Sequence, residues 1–214
     1  MNFYQPYIRR VLLAGFTLLW LGFAYPQKKI TKTVCAKSID FVEINATQCF
    51  KVEIATHGHP EIKIMVVAGG EYQNDILISA KEEEGSLFLS PGLRPLFTNP
   101  NDKLSMHKIL SVALTITVPE NLAVNILGAS TRITAAGKYK VIEVRNVEGD
   151  VALKNIAGRV LVNTVSGNID LTMPSGSVDA YSKFGKVYLA GRYRGTNNYV
   201  LNTVKGSIYV NNNE

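Results

Sequence analysis

Asn146-Val147-Glu148-Gly149-Asp150-Val151-Ala152-Leu153 returns eighteen residues later as Thr164-Val165-Ser166-Gly167-Asn168-Ile169-Asp170-Leu171, and again as Ser182-Lys183-Phe184-Gly185-Lys186-Val187-Tyr188-Leu189. After a slip of three residues the pattern comes back as Thr203-Val204-Lys205-Gly206-Ser207-Ile208-Tyr209-Val210. Gly158 and Gly176 fall halfway between these units, so glycine recurs every nine residues from 149 to 185. Two places after each comes Val151, Val160, Ile169, Val178 or Val187; four places after comes Leu153, Val162, Leu171, Ala180 or Leu189. Apolar residues at spacing two beside a glycine describe a short strand entered through a tight turn. Glycine supplies the positive φ that such a turn needs.

Self-similarity at a fixed short period marks a solenoid. A coil of nine residues is too small to enclose side chains, so two repeats make one coil of about eighteen. The sequence thus predicts an all-β fold, a right-handed parallel β-helix with Val, Ile and Leu inside and Gly149, Gly158, Gly167, Gly176, Gly185 and Gly206 at the turns. The Gly158 and Gly176 units form the face opposite the other four. Each coil is expected to stack on the next at roughly the 4.8 Å spacing of paired strands. Outward positions are mixed: Asp150, Ala152, Arg159, Leu161, Asn168, Asp170, Asp179, Lys186 and Tyr188. The register runs upstream without its glycines, through Leu122-Val124-Ile126 and Ile142-Val144.

Working outward, the chain of 214 residues suits a single domain. Regular coils are expected over 121–210 and less regular strands over 25–120, with antiparallel strands closing the N-terminal end. Lys28–Thr33 reads as a polar, basic lead-in. Phe41–Ile44 and Phe50–Ile54 read as strands, and Ile76–Ser79 with Leu87–Leu89 as a hairpin across the charged loop Lys81–Gly85. Ser90–Lys108, with Pro91, Pro95 and Pro100, is the long irregular stretch. Residues 191–198 break the repeat and read as a bulging loop.

At the N-terminus, Arg9 and Arg10 precede the apolar run Val11–Ala24, and Gly22 and Ala24 occupy the −3 and −1 places of a cleavage site. That is the layout of a secretory signal peptide over 1–24, and the fourteen-residue run is shorter than the roughly 18–20 residues a spanning helix needs. An uncleaved anchor is the rival reading. Export places the mature chain in the periplasm or at the cell surface, with no membrane span once the signal is removed. Removing residues 1–24 takes away two arginines and no acids, so 21 basic groups stand against 17 acidic ones, a net charge of +4 instead of +6. Mild basicity of this kind aids solubility and favours anionic envelope polymers. Nucleic acid is excluded as a partner for an exported chain without a basic, aromatic-interleaved stripe.

Cys35 and Cys49 are the only cysteines. In an oxidising compartment they are expected to bridge neighbouring strands as a disulfide, a loop closure worth roughly 3 kcal/mol; two free thiols are the alternative. His57 and His59 form a His-x-His pair, but a zinc site needs three or four ligands and His107 lies far off, so a solvated turn is the expectation. No Gly-x-Ser-x-Gly elbow, P-loop or His-Glu-x-x-His motif occurs, and the single glycines do not match the calcium-binding nonapeptide. A β-helix hydrolase or lyase would want clustered carboxylates on one face; Asp170 and Asp179, nine apart, fall on different faces. No cofactor, metal or catalytic residue is therefore expected. Candidate binding residues sit in the irregular segments: Arg94, Phe97, Lys103 and His107 in one, Arg192, Tyr193 and Arg194 in the other.

The turn Val118-Pro119-Glu120-Asn121, followed by Val165-Ser166-Gly167-Asn168-Ile169-Asp170-Leu171 and Val204-Lys205-Gly206-Ser207-Ile208-Tyr209-Val210, resembles the exported bacterial β-strand-repeat "putative adhesin" family of unknown function. The likeness covers roughly 35–210. It implies a β-solenoid in the cell envelope with an adhesin-like or structural role, binding envelope or surface polymers or proteins, and it brings no catalytic residues. A carbohydrate-active β-helix enzyme and a periplasmic regulatory binding protein are the alternatives.

Overall fold

The computed structural model describes residues 27–70, 73–94, 110–191 and 193–212; the expected signal peptide over 1–24, Phe97, Lys103, His107 and Arg192 lie outside them. The described chain is all-β. Its strands are β1 (Lys28–Cys35), β2 (Phe41–Ala46), β3 (Lys51–His57), β4 (Glu61–Gly70), β5 (Ile76–Glu83), β6 (Ser86–Leu93), β7 (Leu110–Pro119), β8 (Ala123–Gly128), β9 (Arg132–Glu148), β10 (Val151–Ser166), β11 (Ile169–Met173), β12 (Ser177–Ser182), β13 (Val187–Ala190), β14 (Asn198–Thr203) and β15 (Ile208–Asn212). A short 3-10 turn, Gln73–Asp75, precedes β5.

All fifteen strands belong to one sheet that folds over on itself. Strands β9 and β10 carry it round the corner. Each bends in mid-strand, β9 at Gly137 (φ 110°) and β10 between Asn155 (φ 49°) and Gly158 (φ 116°), where the register to β9 shifts. These backbone angles suit glycine and asparagine. The first halves of β9 and β10 belong to one ladder, ordered β1-β4-β7-β3-β9-β10-β11-β15-β13. Their second halves belong to the other, ordered β5-β6-β2-β8-β9-β10-β14-β12. Alternate residues from both ladders enter a single core, including Val42, Ile64, Ile116, Ile133, Ile142, Val151, Val160, Ile169, Tyr199 and Ile208. Period-two burial of this kind follows from strand geometry.

The eighteen-residue period is the pairing register itself. Ile133 pairs with Val151 and Val151 with Ile169; Val124 pairs with Ile142 and Ile142 with Val160, all in parallel. Parallel pairing extends upstream through β3 with β7 and β9, and β2 with β6 and β8. Antiparallel pairing is confined to β1-β4-β7 and the hairpin β5-β6, which agrees with the expected N-terminal strands.

The structure departs from the expected stacking order. The Gly185 unit does not lie on the Gly167 unit. Instead β15 pairs with both β11 and β13, and β14 with both β10 and β12. The last strand pair of the chain is inserted between the layer of β10 and β11 and the layer of β12 and β13. The registers show it: Ile169 meets Ile208, 39 residues on, and Val187 meets Ile208, 21 residues on. Burial supplies the physical reason. β14 and β15 bring Tyr199, Leu201, Ile208 and Val210 inward, all fully or almost fully buried. β12 and β13 would offer Val178, Ala180, Val187 and Leu189 in the same places, so the difference lies in Tyr199 and Leu201 against Val178 and Ala180. Each large apolar side chain removed from water stabilises by about 1.5–3 kcal/mol, so the layer that holds the bulkier β14 takes the interior.

Three smaller corrections follow. Lys28–Thr33 is strand, the start of β1. Ser90–Leu93 is also strand, paired with β5; Pro91 is tolerated because β2 flanks β6 only as far as Leu89. The expected Cys35–Cys49 disulfide is not formed. Both thiols are free, Cys35 exposed on the outermost strand β1 and Cys49 buried in the turn between β2 and β3. Burial pushes the Cys49 thiol up to about 12, so it stays protonated and inert.

Candidate functional site

The repeat builds two polar columns at one corner of the sheet, one inside and one outside. Three residues before each glycine stands Asn146, Thr164, Ser182 or Thr203. Asn146, Thr164 and Thr203 are buried. Asn146 Nδ2 donates to the carbonyls of Thr131 (2.7 Å), Glu148 (2.7 Å) and Gly149 (3.1 Å). Thr164 Oγ1 donates to Thr203 Oγ1 at 2.8 Å, and Thr203 Oγ1 accepts from Gly206 N–H at 3.1 Å. Ser182 Oγ accepts from Gly185 N–H at 2.9 Å and donates to Gly206 O at 2.6 Å. Buried turn backbone needs such partners. The glycines stack in the spatial order 149, 167, 206, 185. A Cβ on Gly167 would strike the Gly149 carbonyl, one on Gly206 that of Gly167, and one on Gly185 that of Gly206. Gly158 lies against the Tyr139 carbonyl and Gly176 against Asn197 and Tyr199, at other turns.

The residue after each glycine forms the outer column. Asp150 Oδ1 accepts from Asn168 N–H (2.9 Å), Asn168 Oδ1 from Ser207 N–H (2.9 Å), and Ser207 Oγ from Lys186 N–H (3.3 Å). Each side chain bonds the backbone of the next layer, which is why Asp, Asn and Ser stand there. Lys186, which has no side-chain acceptor, ends the column just before the outermost strand β13.

Beside this column runs a second outward row, Ala152-Asp170-Tyr209-Tyr188, in register across β10, β11, β15 and β13. Tyr188 and Tyr209 stack with centroids 5.0 Å apart and planes 5° apart. A third row reads Lys154-Thr172-Asn211-Ala190. Burial, and then the charge of nearby Asp150, push the Asp170 carboxyl above its ordinary range. The C-terminal part of this ladder therefore presents a patch of acceptors, donors and aromatic edges. At its other side, Phe50, Lys51, Ser130, Arg132, Gly149 and Asp150 line a shallow hollow.

The loop candidates separate. Tyr193 is half-buried against the core and donates to Val210 O at 3.1 Å; Arg194 is exposed. Asn197 clamps the layers, accepting from Gly158 N–H (2.9 Å) and donating to Ser175 O (2.7 Å). Arg94 is exposed at the end of β6. His57 closes β3, and its Nδ1 accepts from His59 N–H at 3.0 Å; among the described residues no three metal-ligating side chains cluster. Asp170 and Asp179 lie on different ladders, as expected. Sequence reasoning missed the approach of Asp150 to Asp170 and the Tyr188–Tyr209 stack. The period of eighteen carried the first; the second needed the 21-residue pairing of β13 with β15.

Among solved structures, the fold is similar to a "putative cell adhesion protein" from Clostridium sporogenes, with a TM-score of 0.64 at 15% identity over 88% of this chain and 100% of that one. The two chains share a fold. A "putative adhesin" from Bacteroides fragilis (TM-score 0.39, 15% identity, 89% of this chain and 100% of that one) and a "putative lipid binding protein" from Parabacteroides distasonis (0.34, 11%, 87% and 97%) are more distant. No family model and no curated protein matches the chain. Among the described residues no helix is long and apolar enough to cross a membrane.

Proposed function

We infer that the chain is a non-enzymatic, exported cell-envelope protein, a right-handed parallel β-solenoid of about eighteen residues per coil whose outer face binds envelope or surface polymers. The observation that carries this reading is the face formed by Asp150, Asn168, Ser207, Asp170, Tyr209, Tyr188, Thr172 and Asn211, built by the repeat itself and held by layer-to-layer hydrogen bonds. Rigid strands hold it in place, as recognition surfaces require. Hydroxyls, amides and carboxylates beside tyrosine rings suit the hydroxyl-rich, weakly apolar surface of a polysaccharide. The adhesion name of the Clostridium protein of like fold is consistent with this role.

Two measurements on the full-length chain test it. In protease shaving of intact cells with a periplasmic control, digestion of the chain while the control survives places it at the surface; protection until the outer membrane is opened turns the role to a periplasmic one and ends the adhesin reading. In co-pelleting with purified envelope polysaccharide, the wild-type chain is expected to pellet and an Asp170→Ala/Asn211→Ala variant to pellet less. Equal pelleting of both, or of neither, removes this face as the binding site.

A further inference from the structure

One end of the sheet is left open. Among the described residues β13 pairs only with β15, and β12 only with β14. Val187 and Leu189 occupy the register positions that Ile208 and Val210, and then Ile169 and Leu171, fill inside the core. Yet they are 37% and 53% exposed, next to Phe184 at 70% and Tyr181 at 61%. Apolar side chains gathered along an unpaired strand mark an interaction surface. On the outer side, the ring stack that starts at Tyr209 stops at Tyr188, the last strand of the ladder.

We propose that a second copy of this chain docks on this end, β13 against β13, antiparallel about a two-fold axis through Tyr188. The sequence of the strand supports this occupant. With Tyr188 opposite Tyr188 of the second copy, Val187 falls opposite Leu189 and Leu189 opposite Val187. Core-side residues meet core-side residues, and the outward tyrosines meet each other, as antiparallel pairing across one face demands. The Tyr209–Tyr188 stack then continues into the second copy at the ordinary strand spacing of roughly 4.8 Å. Lys186 falls opposite Ala190, so the edge lysine meets no like charge. Any strand could satisfy the backbone of β13, and the same strand reversed matches all three side chains.

Charge disfavours the head-to-tail alternative. The strands at the far ends of the two ladders are β1, with Lys28, Lys29 and Lys32, and β5, with Lys81, Glu82 and Glu83 after the apolar stretch Ile76-Leu77-Ile78. Charged edges resist strand addition. A two-fold contact of the open end with its own copy closes at the dimer, whereas head-to-tail stacking would set β13 on the lysines of β1. The two outward faces would join into one continuous surface. The inference rests on the strand edge and not on the polymer-binding reading.

The test is sedimentation velocity on the full-length chain, with disulfide trapping. The wild-type chain is expected to sediment at twice the monomer mass and Leu189→Lys at the monomer mass, with unchanged circular dichroism. In a Cys35→Ser background, Tyr188→Cys should form a covalent dimer on mild oxidation, while Lys154→Cys, three strands in from this edge on the same face, should not. The trapping variant keeps the proposal testable if Leu189→Lys misfolds. A monomer at every concentration, a dimer that survives Leu189→Lys without trapping at position 188, or a different protein bound at β13 overturns it.

Discussion

The two ends of the sheet are closed by different chemistry. At the N-terminal end, Lys28 on β1 reaches across to the other ladder, its ammonium donating to Asn74 O (2.9 Å) and Ile76 O (3.1 Å). The edge strand β1 there exposes Lys29 and Lys32 among threonines, and β5 exposes Lys81, Glu82 and Glu83 beyond Leu77 and Ser79. At the other end, β13 carries Val187, Tyr188 and Leu189, and Val178, Ala180 and Tyr193 are half-buried against the core. A sheet edge is a template for further pairing unless it is charged, bent or covered. The first end has charges and a tie between its ladders. The second hides its bulkiest strands one layer inside and leaves a lean outer layer bare.

The largest expected effect strikes the inserted layer. Gly206→Ala drives a Cβ into the Gly167 carbonyl and is expected to cost about 3 kcal/mol in urea unfolding. Gly58→Ala, with open space around it, should stay within about 0.5 kcal/mol of wild type. Hydrogen exchange on Gly206→Ala should show β11 to β15 losing protection while β1 to β7 keep theirs; uniform loss would mean that the two ends do not open separately.

Next in size is Tyr199→Phe. Its buried hydroxyl donates to Ile156 O at 2.7 Å, tying the inserted strand to β10, and burial raises its ionisation to about 12. Removing it leaves that carbonyl short of a partner and should cost about 1–2 kcal/mol. No change in the urea midpoint would mean that the hydroxyl does not hold the layer.

At the opposite end, Lys28→Ala should cost about 1 kcal/mol, since its two charge-assisted bonds are partly solvated. Faster exchange should be confined to the amides around Ile76. If exchange quickens at β13 as well, the two ends are coupled and the contrast between them fails.

The smallest effect concerns pH. The Asp170 carboxyl is raised in the folded protein, by burial and then by Asp150, so the folded state holds its proton more tightly than the unfolded chain. Stability should then fall as pH rises from the ordinary carboxyl value of 3.8 to the raised one. Asp170→Asn should remove that fall and stabilise the protein near neutrality by at most about 0.5 kcal/mol, allowing for solvent screening. Below the ordinary value the variant and wild type should melt together. An Asn variant less stable at neutral pH would assign the carboxylate a favourable contact.

Much of this was legible in the repeat. Val151, Val160, Ile169 and Ile208 point inward because strands alternate, and the eighteen-residue spacing of Gly149 and Gly167 appears as a pairing register. The outer column was legible in outline, since Asp150, Asn168 and Ser207 each follow a glycine. Less regular signals were misread where local composition competes with pairing. Pro91 argued for a loop, yet β5 offers a partner that tolerates it. Cys35 and Cys49 argued for a bridge, yet one is exposed on β1 and the other is buried in a turn.

By itself the sequence determined the period, the inward set and the turn positions, because each depends on a residue's own backbone preference and on alternation along a strand. Only the tertiary structure decided the order of the layers. The Gly206 unit satisfies the same local rules whether it lies beyond the Gly185 unit or beneath it. What separates the two arrangements is which side chains are left at the open end, Tyr199, Leu201, Ile208 and Val210 or Val178, Ala180, Val187 and Leu189. That difference in buried surface exists only once every layer is in place.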